Sequence, residues 1–100
     1  MRIDTVLKFG GSSVANPDRI RDVTAIVLRA ARKGRVAVVV SAFQGVTNQL
    51  LECARLAEAG DPAFSTHYRS VARRHATTLA RLHGNRPPAS VAAALHAMLA

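Results

Sequence analysis

The chain is poor in aromatic residues: among 100 positions there is no tryptophan, one tyrosine and three phenylalanines. Any core must therefore be built mainly from Ala, Val and Leu. A single cysteine, Cys53, excludes an intramolecular disulfide and with it a secreted disulfide scaffold. No uninterrupted apolar run approaches the roughly 20 residues that a membrane span needs. Asp4 and Lys8 interrupt the stretch in which a signal peptide would be apolar, so the cytoplasm is the expected address. Acidic residues are also scarce, six against fourteen Lys and Arg, for a net charge of +8. Such a balance can mark a nucleic-acid or anionic-surface partner. The basic residues here form no aromatic-interleaved platform, which favours arginines spread over solvated helix faces, with compensating acid elsewhere in a longer protein.

What is present fits a soluble globular chain: 49% of residues are hydrophobic, enough for one small domain and contrary to a disordered composition. Thr5 to Phe9 reads as a short strand ended by Gly10-Gly11. A helix start follows, with Asn16 as cap, Pro17 at the first helical position and Asp18 at the positive end of the helix dipole. Ile20, Val23, Val27, Ala30 and Ala31 recur on one helical face. Arg32 and Lys33 occupy the last turn, and Gly34 is expected to end the helix in the left-handed conformation. The next segment, Val36 to Val40, is an apolar run without polar alternation, which suits a strand buried on both faces of a parallel sheet.

Strand, helix, strand in this order predicts a right-handed crossover with the two strands parallel. Ligands of open parallel sheets bind beyond the carboxyl ends of the strands. Gly10 to Ser13 and Ser41 to Gly45 both fall at that edge and are expected to face one cleft. The remainder reads as helices. Thr47 to Ala59 carries Leu50, Ala54 and Ala57 on one side, closed by Gly60. Asp61-Pro62 opens a long helix to about His83, with Phe64, Tyr68, Val71, Leu79 and Leu82 inward, stopped by Gly84. Pro87-Pro88 precedes a last helix with apolar Val91, Leu95, Met98 and Leu99. That helix reaches Ala100 without a cap or breaker, so the sequence reads as a piece of a longer protein. No repeat, low-complexity tract or linker is visible.

The chemistry concentrates after the first strand. Two glycines let the backbone approach a ligand closely and turn N–H groups toward an anion. Ser12 and Ser13 add hydroxyls, the helix starting near Asn16 adds partial positive charge, and Lys8 adds a full one. Taken alone the pattern is either a tight turn or an anion pocket. It is not a Walker loop, because the lysine precedes the glycines.

Val6-Leu7-Lys8-Phe9-Gly10-Gly11-Ser12-Ser13-Val14 resembles the opening signature of aspartate kinases, within the amino-acid kinase superfamily. Val39-Val40-Ser41-Ala42-Phe43-Gln44-Gly45-Val46-Thr47-Asn48 resembles that family's second signature, at the expected separation. The likeness is close from about residue 5 to Leu51 and general afterwards. It implies an α/β sandwich of the amino-acid kinase type with a parallel sheet, of which residues 1–100 form the N-terminal portion: a strand-helix-strand segment over 5–45 and a helical region over 47–100 with an appended helical hairpin. The implied reaction moves the γ-phosphoryl of ATP to the side-chain carboxylate of L-aspartate, the first step toward lysine, threonine and methionine. Lys8 would be catalytic. Lys8, Gly10, Gly11, Ser12 and Ser13 would hold phosphate, and Ser41, Ala42 and Thr47 would line the aspartate pocket. Mg2+ would arrive with ATP, its ligands lying outside this segment. The implied partners are the two substrates and further copies of the full-length protein, with no nucleic acid and no membrane. Some aspartate kinases are fused to homoserine dehydrogenase or to a decarboxylase, and this helical region is compatible with such a relative.

Two other constellations compete. His67, His75 and His83 are eight apart, so they drift around a helix and do not face one ion, and no cysteine or carboxylate completes a zinc set. Arg69, Arg73, Arg74, Arg81 and Arg86 form the most basic stretch, whose alternative reading is a nucleic-acid-binding or protein-interaction module; the former would bind in a salt-sensitive way.

Overall fold

The structure is a computed structural model describing residues 1–100. The chain divides into two units, Met1–Gly45 and Val46–Ala100. The first holds β1 (Thr5–Phe9), a single 3-10 turn (Gly11–Val14), α1 (Pro17–Ala31) and β2 (Val36–Val40). β1 and β2 pair in parallel, Thr5 opposite Val36 through Phe9 opposite Val40. The fold class is α/β, as expected.

α1 begins where the sequence says it should. Asn16 has extended backbone and its Oδ1 accepts the Arg19 N–H at 2.9 Å, with Pro17 following. This satisfies one of the donors orphaned at a helix start. Ile20, Val23, Val27 and Ala30 are half-buried while most of their neighbours are exposed, the stripe expected of a helix lying on a sheet. α1 packs on both strands. Leu7 and Phe9, alternating with exposed Val6 and Lys8, are the half-buried residues of β1.

Two expectations are corrected here. β2 is not buried on both faces: Val38, Val39 and Val40 are all exposed, Val39 at 47%, and Val6 of β1 at 65%. One helix covers only one face of a two-stranded sheet, so the apolar run exceeds what this unit can bury. Gly34 is not left-handed; the positive-φ glycines are Gly45, Gly60 and Gly84. Its small size answers a different demand. A Cβ on Gly34 would stand 2.7 Å from Asp4 Oδ2 and 3.2 Å from Asp4 Cβ and Cγ. Asp4 is held there because its Oδ2 accepts the Arg35 N–H at 2.9 Å, its own N–H donates to the Arg35 carbonyl at 2.9 Å, and Arg2 pairs with its other oxygen at 3.2 Å. The carboxylate thus fixes the entry into β2 beside the entry into β1.

The second unit is helical: α2 (Val46–Glu58), α3 (Phe64–Leu82) and α4 (Ala89–Leu99). α2 packs on α3, and α3 on α4. The Asp61-Pro62 signal works through an Asx turn, Asp61 Oδ1 accepting the Ala63 N–H at 2.9 Å. α3 ends as expected at Gly84 (φ 58°), with Asn85 also left-handed (φ 66°) and its N–H donating to the Ala80 carbonyl at 2.7 Å. Tyr68 donates its hydroxyl proton to the Leu99 carbonyl at 2.6 Å, tying α3 to α4. On α2, the Arg55 guanidinium hydrogen-bonds Glu52 and holds its carboxyl below the ordinary carboxylate range.

The buried face of α2 also differs from the expected one. Leu50, Ala54 and Ala57 are exposed, whereas Val46 and Leu56 are buried, with Gln49 and Cys53 half-buried between them. The true stripe runs 46, 49, 53, 56, a helical spacing. It was hidden because an amide and a thiol occupy its middle, and the Gln49 amide oxygen is buried without a partner. On α3, Val71 (2% exposed) and Thr78 are buried, while Phe64 is exposed against expectation at the helix start. Thr78 is satisfied by donating to the Arg74 carbonyl at 2.7 Å.

Two stability tests follow. Leu56→Ala, at a residue only 7% exposed, should cost about 2–4 kcal/mol in chemical denaturation, whereas Leu50→Ala should stay within about 1 kcal/mol; the reverse order would mean the face is misassigned. Gly34→Ala should cost about 1–2 kcal/mol by displacing the Asp4 carboxylate from its hydrogen bond. In an Asp4→Ala background the same change should cost much less, since the two act through one contact.

Candidate functional site

The parallel pairing sets where the two chain segments go next. β1 and β2 run in the same direction, and the ladder continues past β2 because the Ser41 N–H donates to the Phe9 carbonyl at 3.0 Å. The residues after both strands therefore leave the sheet side by side, at the carboxyl edge where open parallel sheets receive ligands.

After β1, Gly10 is extended (φ −78°, ψ 177°) and the chain turns into Gly11–Val14, where the Ser13 N–H donates to the Gly10 carbonyl at 3.1 Å. Val14 is buried and anchors the turn. Gly11 lies against the segment that follows β2. A Cβ there would stand 3.5 Å from the Ala42 carbonyl oxygen, 3.5 Å from Gln44 Cα and 3.6 Å from Gln44 N, ordinary van der Waals contact. A Cβ on Gly10 would meet nothing within 4 Å. So Gly11 faces the second loop, while Gly10 borders open space.

Lys8 lies two residues upstream of Gly10, exposed, on the strand face alternate to half-buried Leu7 and Phe9. It takes part in none of the ion pairs, which are Arg2–Asp4, Arg21–Asp18 and Arg55–Glu52. Ser12 is exposed and Ser13 half-buried. Ser13 lines a cleft of about 130 Å³ with Phe9, Arg19, Asp22, Val23 and Ile26. Ser41 donates its hydroxyl proton to the Ala42 carbonyl at 2.9 Å, and Ala42 is exposed.

The first unit thus carries Lys8 near the end of β1, and Gly10, Gly11, Ser12, Ser13, Ser41 and Ala42 on two segments that approach each other at Gly11. Thr47 is different: it is an exposed residue at the second position of α2, in the second unit. The sequence reading did not single out Arg19. Its place in the third position of α1, with an N–H spent on the Asn16 cap and a side chain lining the Ser13 cleft, puts a further cation beside the turn. The signal was available, since a residue three beyond a helix cap points back over the preceding turn.

Chemically, the corner offers Lys8, hydroxyls and glycine backbone, with Arg19 and Asp22 both lining the Ser13 cleft. No group of three or more His, Cys, Asp or Glu residues could hold a metal ion. Such a donor set suits binding and orienting an anion.

Comparison with known proteins identifies the family of the chain. Residues 5–99 match the model of the amino acid kinase family. An aspartokinase of Rickettsia felis is 53% identical over 47 residues, covering 46% of this chain and 12% of that protein. Two chloroplastic bifunctional aspartokinase/homoserine dehydrogenases of Arabidopsis thaliana are 36% identical over 73 residues and 33% identical over 92 residues, covering 73% and 92% of this chain but 8% and 10% of those proteins. The chain spans about a tenth of the length of the curated relatives it matches. Because the family match takes in residues 5–99 of 100, this chain belongs to the amino acid kinase family.

Proposed function

We propose that this chain is the N-terminal part of an aspartate kinase catalytic domain and that the corner formed by its two loops is the phosphate and aspartate side of the active site. The observation that carries the reading is the approach of Gly11 to Ala42 and Gln44. It places both kinase-like signatures at one sheet edge. The aspartokinase names of the relatives support the choice of acceptor within the family.

The reaction would transfer the γ-phosphoryl group of ATP to the side-chain carboxylate of L-aspartate, giving 4-phospho-L-aspartate. A carboxylate nucleophile, with an unperturbed pKa near roughly 3.9, is already ionised at neutral pH and needs no base. The protein's tasks are then to orient the carboxylate and to neutralise charge gathering on the transferred group and the leaving oxygen. Lys8 would perform the second task; its exposure and its absence from the ion pairs Arg2–Asp4, Arg21–Asp18 and Arg55–Glu52 support that role. The open space beside Gly10 accommodates phosphate oxygens against its backbone, and Ser12 supplies an exposed hydroxyl. The role of Ser13 as a phosphate contact rests on the sequence resemblance, since the cleft it lines with Phe9, Arg19 and Asp22 lies on the strand face opposite Lys8. Ser41 and Ala42 are assigned to the aspartate side, across the Gly11 contact. The role of Thr47 rests on the sequence resemblance alone.

ATP would bring Mg2+, whose protein ligands would come from outside these residues. The full-length enzyme is proposed to be cytoplasmic and homo-oligomeric, and to act at the head of lysine and threonine synthesis. No helix of the chain is long and apolar enough to cross a membrane.

The test is made in a full-length aspartokinase carrying this stretch. Lys8→Ala should lower kcat by about 10²–10³, the loss expected when a preorganised positive group is removed from developing negative charge, with a smaller change in KM for aspartate. Near-normal turnover would remove Lys8 from the mechanism. A phosphorylated acceptor other than aspartate would replace the substrate while leaving the phosphate corner in place.

A further inference from the structure

The two strands of the first unit do not specify their mutual register equally. β1 alternates, with Leu7 and Phe9 half-buried beside exposed Val6 and Lys8, so its faces are set. β2 does not alternate: Val36-Ala37-Val38-Val39-Val40 offers an apolar side chain to either face, and its last three residues are all exposed. Register is weakly specified where a strand buries no face of its own. The connection through α1 is a crossover, so no hairpin turn fixes the register either. One residue of slip would displace the Ser41 loop by about 3.3 Å along the sheet. That is nearly the whole 3.5 Å that separates a Cβ on Gly11 from the Ala42 carbonyl oxygen.

A clamp at the amino edge supplies what the β2 pattern lacks. The Asp4 and Thr5 N–H groups both donate to the Arg35 carbonyl, at 2.9 and 3.1 Å, and the Arg35 N–H donates to Asp4 Oδ2 at 2.9 Å. Both backbone groups of the residue before β2 are thus taken by residues 4 and 5. Neighbouring registers do not reproduce this pairing. Either one would bring Lys33 or Arg35 to the place of Gly34, where even a Cβ would stand 2.7 Å from Asp4 Oδ2. Arg2 pairs with the other Asp4 oxygen at 3.2 Å, but its side chain is 88% exposed, so that ion pair adds little. The hydrogen bond from Arg35 is what clamps.

An unbroken ladder joins this clamp to the loop corner, Thr5 opposite Val36 through Phe9 opposite Val40 and on to the bond between the Ser41 N–H and the Phe9 carbonyl. We infer that Asp4 is a positioning residue of the proposed phosphoryl-transfer site: it fixes the register of β2 on β1, and so the height at which Lys8 and the turn after β1 stand beside Ser41 and Ala42. Asp4 acts from the opposite edge of the sheet and touches no reacting group. The inference rests on the role proposed for Lys8.

Two measurements test it. In the chain itself, amide hydrogen exchange is read from ¹⁵N–¹H correlation spectra. Asp4→Ala should speed exchange about tenfold at Arg35, which loses its acceptor, and also at Ser41 at the far end of the ladder, with Val27 inside α1 changing less. Asp4→Asn keeps an oxygen for the Arg35 N–H and should restore the original rates. Faster exchange at Arg35 alone, equal acceleration at Ser41 and Val27, or no rescue by asparagine would each overturn the register role. In a full-length aspartokinase carrying this stretch, Asp4→Ala should lower kcat about tenfold, and only about twofold or less when Lys8 is already alanine, as expected of two residues acting through one alignment. The same factor in both backgrounds is the mark of general destabilisation and would overturn the inference. Near-normal turnover of Lys8→Ala would instead remove the reading of Lys8, and the exchange pattern would still decide whether Asp4 sets the register.

Discussion

The parallel pairing of β1 with β2, carried one residue further by the Ser41 N–H and the Phe9 carbonyl, is the interaction on which the rest of the first unit depends. It makes two segments that are about thirty residues apart in sequence leave the sheet at the same edge and in the same direction. The geometry is set from both ends. At the amino end, Asp4 bonds to Arg35 and fits only because residue 34 has no side chain. At the carboxyl end, Gly11 lets the turn after β1 lie against Ala42 and Gln44. The site is a consequence of register: a slip of one residue would turn Lys8 to the face that carries Leu7 and Phe9.

Much of this was legible in the sequence because the signals were local. Asn16-Pro17-Asp18 specifies a helix start by its own backbone chemistry, and Gly60 and Gly84 end helices through conformations that glycine adopts at little cost. The two signature loops could be assigned to one edge because parallel topology leaves little choice. Less legible were features that depend on a partner far away in sequence. Gly34 looked like a helix terminator, but its neighbour is Asp4. The stripe of α2 looked like Leu50, Ala54 and Ala57, but the side turned to α3 includes Gln49 and Cys53, whose polar atoms disguise it. Hydrophobic counting could not see that Val38, Val39 and Val40 would remain exposed, since burial is a property of what lies on the sheet and not of the strand.

The two units divide the chemistry. The first has a mixed surface, with its acids at Asp4, Asp18 and Asp22, and offers glycine backbone, hydroxyls and Lys8 at one corner. From Pro62 onward the second offers arginines without acids and an apolar trough. An anion would therefore meet positive charge in both, but with different recognition: backbone N–H groups and a turn in one, guanidinium groups on a helix in the other. The phosphate site proposed above lies in the first.

That division can be examined directly by following backbone amides in ¹⁵N–¹H correlation spectra while inorganic tripolyphosphate is added to the chain. Specific anion recognition at the loop corner predicts saturable shifts at Gly10, Gly11, Ser12 and Ser13, with smaller ones at Ala42 and Gln44 across the Gly11 contact. Shifts confined to Arg69 through Arg86, with the loop amides unmoved, would contradict the assignment of the phosphate site to this corner.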